Sequence, residues 1–227
     1  MTAAADQVLQ ELNEKADPDN VKGMARFRIS SEGRLGVSVP DIRKIAKAAG
    51  KDHELALELW NTGIAEARIA AGMIGEPDKL TEKQMESWVA DFNSWDVCDQ
   101  VCMNLFEKSP LATQKIHDWS ERDEEFVKRT SYALIACLAW HDKEADDEMF
   151  LELFPVIKKG ATDDRNFVKK AVNWALRNIG KRNSALNAAA IDVAMDIQKI
   201  DSKAARWIAS DAIRELQSEK VQARLAK

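Results

Sequence analysis

The sequence EFVKR at residues 125–129 recurs as NFVKK at residues 166–170, 41 residues further along the chain. Each copy follows an acidic turn and opens a long segment with apolar residues at helical spacing. A less similar copy of the motif, KAAR, lies at 203–206, and EAR at 66–68 begins a similar segment. A period of this length is typical of two-helix units that stack on their neighbours. We therefore expect a short array of helix pairs.

The composition favours helices in the whole chain. Its 227 residues include only nine Gly, five Pro and one Tyr, and no segment alternates as a half-buried strand would. Helices are predicted at 40–49, 53–60, 64–75, 81–91, 95–107, 110–119, 123–140, 146–158, 163–180, 184–198 and 202–215. Short turns join them, so one domain is expected over 1–227. The predicted fold is an all-α, HEAT-like helical-repeat solenoid of stacked antiparallel helix pairs with a concave face. An irregular helical bundle is the alternative.

Punctuating residues mark several helix ends. Gly50, Gly160 and Gly180 each follow an apolar segment and lie next to a lysine, which predicts left-handed C-caps. Ser109-Pro110 predicts a cap followed by proline at the first helical position.

Several kinds of chemistry have no support in the sequence. Cys98, Cys102 and Cys137 are an odd number without paired CxxC motifs, so neither a disulfide framework nor a zinc site is expected. The three histidines lack ligand spacing and no glycine-rich phosphate loop occurs, which predicts no metal and no cofactor. No segment approaches the roughly 20 apolar residues of a membrane span, and the first fifteen residues are acidic. We expect a cytoplasmic protein without a membrane partner.

The charge is unevenly distributed along the chain. The 33 basic and 38 acidic residues give a net charge of −5. Residues 22–51 nevertheless carry eight basic against two acidic residues, and residues 155–183 carry the same numbers, so each stretch has a net charge of +6. The rest of the chain is strongly acidic. Two basic stretches in an acidic shell suit a groove that binds a polyanion, although solvated helix faces are an equal alternative.

Helical geometry places aromatic and basic residues on one face of the segment 163–180. Val168, with Ala171, Val172, Ala175 and Ile179, forms a core stripe at 100° per residue. Phe167, Lys170, Trp174 and Arg177 cluster on another side, and Phe126 and Arg129 occupy the same sector one repeat earlier. Such a face suits a sugar-phosphate chain. The other tryptophans are interpreted as structural: Trp60, Trp88, Trp119, Trp140 and Trp207.

A carboxylate lies in the segment SWDVCD at 94–99. Trp95 and Asp99 are four positions apart and share a helix face. Beside Arg129 and Trp174 in a groove, this pair could stabilise a developing cation on a sugar ring. An Asp that only complements a helix dipole is the structural alternative.

These residues resemble the DNA alkylation repair enzymes of the AlkD type, which are HEAT-like-repeat alkylpurine DNA glycosylases. The resemblance runs from about Met24 to the last helices. Four stretches carry it in order: MARF at 24–27 with LGV and Pro40 beyond, SWDVCD at 94–99, FVKR at 126–129, and the stretch from Phe167 through KAVNWALR at 170–177. The chain departs from the family at Ser94, where a Trp is frequent, and at Phe27, where Tyr is frequent.

The resemblance implies roles for particular residues. Asp99 would be the catalytic carboxylate, Trp95 and Trp174 the aromatic walls against the lesion's deoxyribose, and Arg129 the neighbouring phosphate contact. Phe27 and Phe167 match further cleft positions. The expected DNA-binding set is Arg26, Phe27, Phe167, Lys170 and Arg177.

The function implied is hydrolysis of the N-glycosidic bond of cationic N3- or N7-alkylated purines in duplex DNA, which would place the protein at the nucleoid when it is bound to DNA. A monomer is expected from the length of the solenoid. Since some relatives bind unusual DNA structures without excision, a non-catalytic binder of damaged or branched DNA is one alternative. A HEAT scaffold for an acidic protein partner is the other.

Overall fold

The structure is a computed structural model that describes residues 1–226. These residues form fourteen α-helices and three short 3-10 turns, with no strand among them. The all-α prediction is therefore confirmed. The chain divides into two compact units, Met1–Leu111 and Ala112–Lys227, here called unit 1 and unit 2. That they act as one domain stays a prediction.

Unit 1 contains seven α-helices, of which the sequence predicted the last five. They are α1 Ala3–Glu14, α2 Pro18–Met24, α3 Val39–Ala49, α4 His53–Trp60, α5 Ala65–Ile74, α6 Glu82–Ala90 and α7 Trp95–Asn104, with 3-10 turns at Ala25–Phe27, Pro77–Lys79 and Phe106–Lys108. The first two were missed, although α1 buries Ala5, Val8 and Leu12 at helical spacing.

Aromatic side chains fill part of the core of unit 1. The rings of Trp60 and Trp88 stack with centroids 3.9 Å apart and planes within 2°. Phe92 meets Trp60 edge-on at 5.8 Å. Both tryptophans are buried, which confirms their structural interpretation and anchors α4 to α6.

Unit 2 contains the second set of seven α-helices. They are α8 Ala112–Ser120, α9 Glu125–His141, α10 Asp147–Gly160, α11 Asn166–Ile179, α12 Ser184–Gln198, α13 Lys203–Leu216 and α14 Glu219–Leu225. Helix α11 packs on both α9 and α13. Its predicted core stripe, beginning at Val168, is buried, so this prediction is confirmed. Asn178 also donates from Nδ2 to the carbonyl of Ala136 at 3.0 Å, which links α11 to α9.

None of the three glycines adopts the left-handed helical conformation that was predicted. Gly50 ends α3 with a φ of 81°, which favours glycine, but its ψ of −169° lies outside that region. Gly160 is the last residue of α10, where a Cβ atom would lie 2.1 Å from Tyr132 Oη. Gly180 has a φ of −66°, and a Cβ there would lie 2.7 Å from Leu216. Both glycines permit close packing. The helix predicted from Pro110 begins at Ala112 instead.

Candidate nucleic-acid interface

The N-terminal turns of α7 carry the predicted tryptophan and carboxylate. Trp95 is the first residue of the helix and is half-buried. Its Nε1 donates to the backbone carbonyl of Phe27 at 3.2 Å, which fixes the indole against the MARF segment. Asp99 lies one turn later and is 9% exposed. The acidic residue in the first turn of α7 is Asp96, so helix-dipole compensation describes Asp96 better than Asp99.

Asp96 belongs to a buried ion pair that the sequence did not reveal. Arg34 Nη1 and Nη2 donate to its two carboxylate oxygens at 2.6 and 2.7 Å, and the Arg34 side chain is only 3% exposed. Arg34 Nη2 also donates to Ser94 Oγ at 2.8 Å, and that hydroxyl donates to Asp96. Arg34, which was counted among the cations of a groove, is therefore structural. Bidentate pairing fixes the loop around Arg34 against the start of α7.

A second buried carboxylate holds the same loop. Glu66, on α5, accepts from the backbone N–H of Leu35 at 3.0 Å and of Gly36 at 2.7 Å. Gly36 has a φ of 83°, and a Cβ there would lie 2.2 Å from the carbonyl oxygen of Asp17. A side chain is thus excluded by both conformation and space. The glycine of the LGV stretch was the available sequence signal for this turn.

The MARF segment itself is exposed. Phe27 is 55% exposed, and the Arg26 guanidinium lies 5.0 Å from the centroid of its ring. Arg28 follows with a φ of 60°, in the left-handed region. A flat apolar ring beside a cation is suited to contact with a nucleic-acid backbone. Because Trp95 bonds to the carbonyl of Phe27, unit 1 brings Trp95 and Phe27 together as expected.

In unit 2, the buried side chain of Arg129 bonds to the backbone of the next repeat. It is 5% exposed and donates from Nη1 to the carbonyl of Phe167 at 2.6 Å. The rings of Phe126 and Phe167 lie beside this link with centroids 5.4 Å apart. The two copies of the repeat motif therefore contact each other directly. The phosphate contact expected for Arg129 stays a prediction.

The remaining predicted residues of α11 differ in their surroundings. Trp174 is half-buried, and Lys170 is exposed without an ion-pair partner in residues 1–226. Arg177 instead pairs with Glu215 and lies 3.6 Å from Asp211, both on α13. Burial would raise the pKa of Glu215, but Arg177 and a hydrogen bond from Lys181 outweigh it, so that pKa lies below its usual value. Arg177 is thus less available to DNA than its place in the sequence suggested.

Carboxylates from outside the second basic stretch neutralise part of its charge. Lys158 pairs with Asp196 on α12 at 3.0 Å. Arg165 pairs at 2.6 Å with Asp163, which belongs to the stretch itself. Lys181 pairs with Glu215 at 2.9 Å. The stretch is therefore less cationic in space than along the chain.

In the first basic stretch, a smaller set of cations remains available. Arg34 is buried in its ion pair, and Lys22 and Lys44 pair with acidic residues three positions away on their own helices. Arg28, Arg43 and Lys47 have no ion-pair partner within the part of the chain that the structure describes.

An open cavity of about 870 Å³ lies in unit 2 and includes two predicted residues, Trp174 and Arg177. It is also lined by Trp140, which is 54% exposed, so the interpretation of Trp140 as structural is wrong. Trp207 is 41% exposed and contacts the Lys169 ammonium of α11, so it can still be structural, and Trp119 is buried. Trp140 is the penultimate residue of α9.

Residues 1–226 contain no group of three or more His, Cys, Asp or Glu side chains placed to hold a metal ion. Over the same range, no helix combines the length and apolarity that crossing a bilayer requires. Trp95 and Asp99 belong to unit 1, whereas Arg129, Phe167 and Trp174 belong to unit 2. That these two groups form one site is a proposal.

Comparisons with known proteins identify the family and the fold of the chain. None of the curated proteins matches the sequence. A solved structure described as "A new family of proteins related to the HEAT-like repeat DNA glycosylases with affinity for branched DNA structures" aligns with a TM-score of 0.80 and 21% identity, covering 97% of this chain and 95% of that chain. A designed armadillo repeat protein aligns with a TM-score of only 0.35 and 17% identity over 93% of this chain and 99% of that chain. The first alignment confirms the HEAT-like repeat fold. The family model for DNA alkylation repair enzymes matches residues 8–216, and the chain therefore belongs to the DNA alkylation repair enzyme family.

Proposed function

We propose that the protein is an alkylpurine DNA glycosylase, a hydrolase that releases cationic N3- and N7-alkylated purines from duplex DNA. The observation that carries this proposal is the pair at the start of α7. Asp99 is buried one turn after Trp95, whose indole is held by the carbonyl of Phe27. A fixed carboxylate beside a fixed aromatic face suits stabilisation of a positive charge that develops on a sugar.

The reaction breaks the bond between C1′ of the deoxyribose and the purine nitrogen. The electron pair of that bond goes to the base, which loses its positive charge as it leaves, and the sugar becomes cationic. Asp99 would stabilise the sugar cation and orient a water molecule toward C1′. The water oxygen bonds to C1′, and its proton passes to the carboxylate or to solvent.

The other predicted residues would hold the DNA around this carbon. Trp95 and Trp174 would supply cation–π and C–H–π contacts to the deoxyribose, and Arg129 would hold the distorted backbone. Arg26, Phe27, Phe167 and Lys170 would contact the strands, with Arg177 contributing less because α13 carboxylates balance its charge. In this proposal the units act as one HEAT-like domain, in a cytoplasmic monomer.

A direct experiment tests the proposal. Purified protein is incubated with duplex DNA methylated at N7 of guanine, and released 7-methylguanine is measured by mass spectrometry. We expect release above the spontaneous rate in buffer. No release, together with binding to the DNA, would favour a non-catalytic DNA binder instead.

That second candidate has support of its own. The solved structure with the TM-score of 0.80 belongs to proteins described by their affinity for branched DNA. Position 94, where the family frequently has a Trp, is here a buried Ser that accepts from Arg34 and contributes no aromatic surface. Absence of DNA binding altogether would favour the third candidate, a scaffold for an acidic protein partner.

A further inference from the structure

The cavity of unit 2 combines aromatic surface with several cations. Trp174 and Trp140 both line it. Its basic lining residues are Lys143, Arg177, Lys181, Arg182 and Arg224, whereas Asp147 is the acidic residue among those that line it. Its volume of about 870 Å³ is within the range of about 300–1,000 Å³ that is common for small-molecule sites. The cavity can therefore hold one or two nucleotide-sized groups.

Some of these cations already have partners, but the lining keeps an excess of positive charge. The carboxylate of Glu215 neutralises part of the positive charge of Arg177 and Lys181. Arg182 donates to the carbonyls of Ala139, Asp142 and Ala145, which are neutral acceptors and leave its charge uncompensated. Lys143 and Arg224 likewise donate to backbone carbonyls. An anionic ligand is thus favoured over a neutral or cationic one.

Trp140 gives the cavity an exposed stacking surface. Its ring lies beside that of His141, with centroids 5.1 Å apart and planes within 19°. A further flat ring could extend this stack on the exposed side of the indole. A base in an intact duplex cannot do so because its faces are covered by neighbouring base pairs, whereas an unpaired base presents a free face.

We propose that this cavity binds an unpaired nucleotide of the DNA, with the base stacked on Trp140 and the phosphates facing the basic rim. The inference rests on the proposed function in that it takes DNA as the ligand. It adds a stacking surface, the 54% exposed Trp140, that is not among the residues predicted for excision, although Trp174 lines the same cavity. The ligand class is an unpaired nucleotide rather than an acidic peptide, because an exposed indole matches a base face and a carboxylate chain offers none.

The experiment compares two undamaged DNAs by fluorescence anisotropy, a fully paired duplex and the same duplex with a short single-stranded flap. We expect the protein to prefer the flapped DNA, and Trp140→Ala to reduce that preference by roughly ten-fold, as loss of one base–indole stack would. Trp140→Phe should retain most of the preference because it keeps an aromatic face. Circular dichroism verifies that each variant is folded.

Trp207→Ala is the matched control. It also removes an exposed indole from unit 2, but Trp207 does not line the cavity and instead lies under the Lys169 ammonium at 5.1 Å. We expect it to leave the flap preference unchanged. No preference in the unmodified protein, or equal effects of Trp140→Ala and Trp207→Ala, would overturn the subsite.

Excision of 7-methylguanine from a linear duplex is measured in parallel. Normal excision without a Trp140-dependent flap preference overturns the subsite and leaves the glycosylase proposal standing. A Trp140-dependent preference without excision supports the subsite and contradicts the glycosylase proposal.

Discussion

At the scale of single residues, the account depends most on Asp99. Asp99→Asn preserves the shape of the side chain and removes its charge, so the sugar cation would lose its stabilising partner. We expect single-turnover excision of 7-methylguanine to fall by on the order of 10² or more, with DNA affinity similar or higher. Rates from quenched reactions and affinities from anisotropy check both parts.

Asp192→Asn provides the matched control, because Asp192 is an exposed carboxylate on α12. It should leave both excision and affinity unchanged. Full excision by Asp99→Asn would remove Asp99 from the catalytic role and require another carboxylate.

The sequence could predict the relation of Trp95 to Asp99 because the two residues are one helical turn apart, and helix geometry is local. It could not predict that Arg34 would pair with Asp96, since the partners are 62 positions apart. Nor could it tell Trp140 from Trp119. Both lie near the end of an amphipathic helix, and only the packing of unit 2 leaves one exposed and covers the other.

At the scale of elements, the ion pair between Arg34 and Asp96 joins the loop before α3 to the start of α7. Arg34→Met would leave a largely buried carboxylate without its partner, so we expect a loss of about 3 kcal/mol in the free energy of unfolding. The double variant Arg34→Met, Asp96→Leu should lose less, because no unpaired charge remains. Urea denaturation measures both.

Lys22→Met is the control for this test. It breaks the ion pair with Asp19, in which both side chains are more than three-quarters exposed, and it should not change stability measurably. A double variant as unstable as Arg34→Met would show that packing, and not the unpaired charge, causes the loss.

The link between α11 and α13 has a predicted pH dependence. The pKa of Glu215 is lowered in the folded protein, because Lys181 and Arg177 outweigh the effect of burial. Its contribution to stability is therefore present above the ordinary carboxyl pKa of 4.5 and is lost as the pH falls through the lower folded value. We expect Glu215→Gln to be less stable than the unmodified protein by about 1 kcal/mol near neutral pH.

This difference should shrink toward zero in acid, since the unmodified Glu215 then becomes protonated. Urea denaturation of the two proteins at several pH values provides the measurement. A difference that persists unchanged in acid would mean that shape, rather than charge, sets the contribution of Glu215.

At the scale of the whole molecule, the available cations determine how strongly DNA binding depends on salt. Of the proposed DNA contacts, Lys170 and Arg26 have no ion-pair partner in residues 1–226, whereas Arg177 pairs with Glu215. Neutralising Lys170 or Arg26 should therefore reduce the slope of log affinity against log salt by about 0.9 each, and neutralising Arg177 should reduce it less. Anisotropy titrations on one duplex at several salt concentrations measure the slopes.

Charge reversal at the exposed residues Glu148 and Glu152 on α10 is the control and should leave the slope unchanged. Equal slopes for all of these variants would contradict a defined DNA-binding face.

The composition and the absence of alternating segments predicted an all-α chain, and the repeat of EFVKR and NFVKK indicated the HEAT-like fold, because repeat units stack in sequence order. The net charge of a stretch was a poorer guide. Lys158 pairs with Asp196 and Arg177 pairs with Glu215, and each pair is separated by 38 positions in the sequence. Charges of opposite sign therefore neutralise each other between repeats. The sequence locates the cations, and only the packing of successive helices shows which of them remain available.

The central claim is that the protein stabilises a sugar cation and therefore acts only on bases that already leave readily. A neutral base leaves as an anion unless an acid or a shaped base pocket assists it, and the proposed constellation is directed at sugar and phosphate. The most direct test is single-turnover excision from matched duplexes carrying N7-methylguanine, N3-methyladenine, uracil, hypoxanthine or 8-oxoguanine. We predict release of the two methylated purines and none of the three neutral bases. Efficient release of any of the three neutral bases would contradict the account, and so would the absence of release of all five bases.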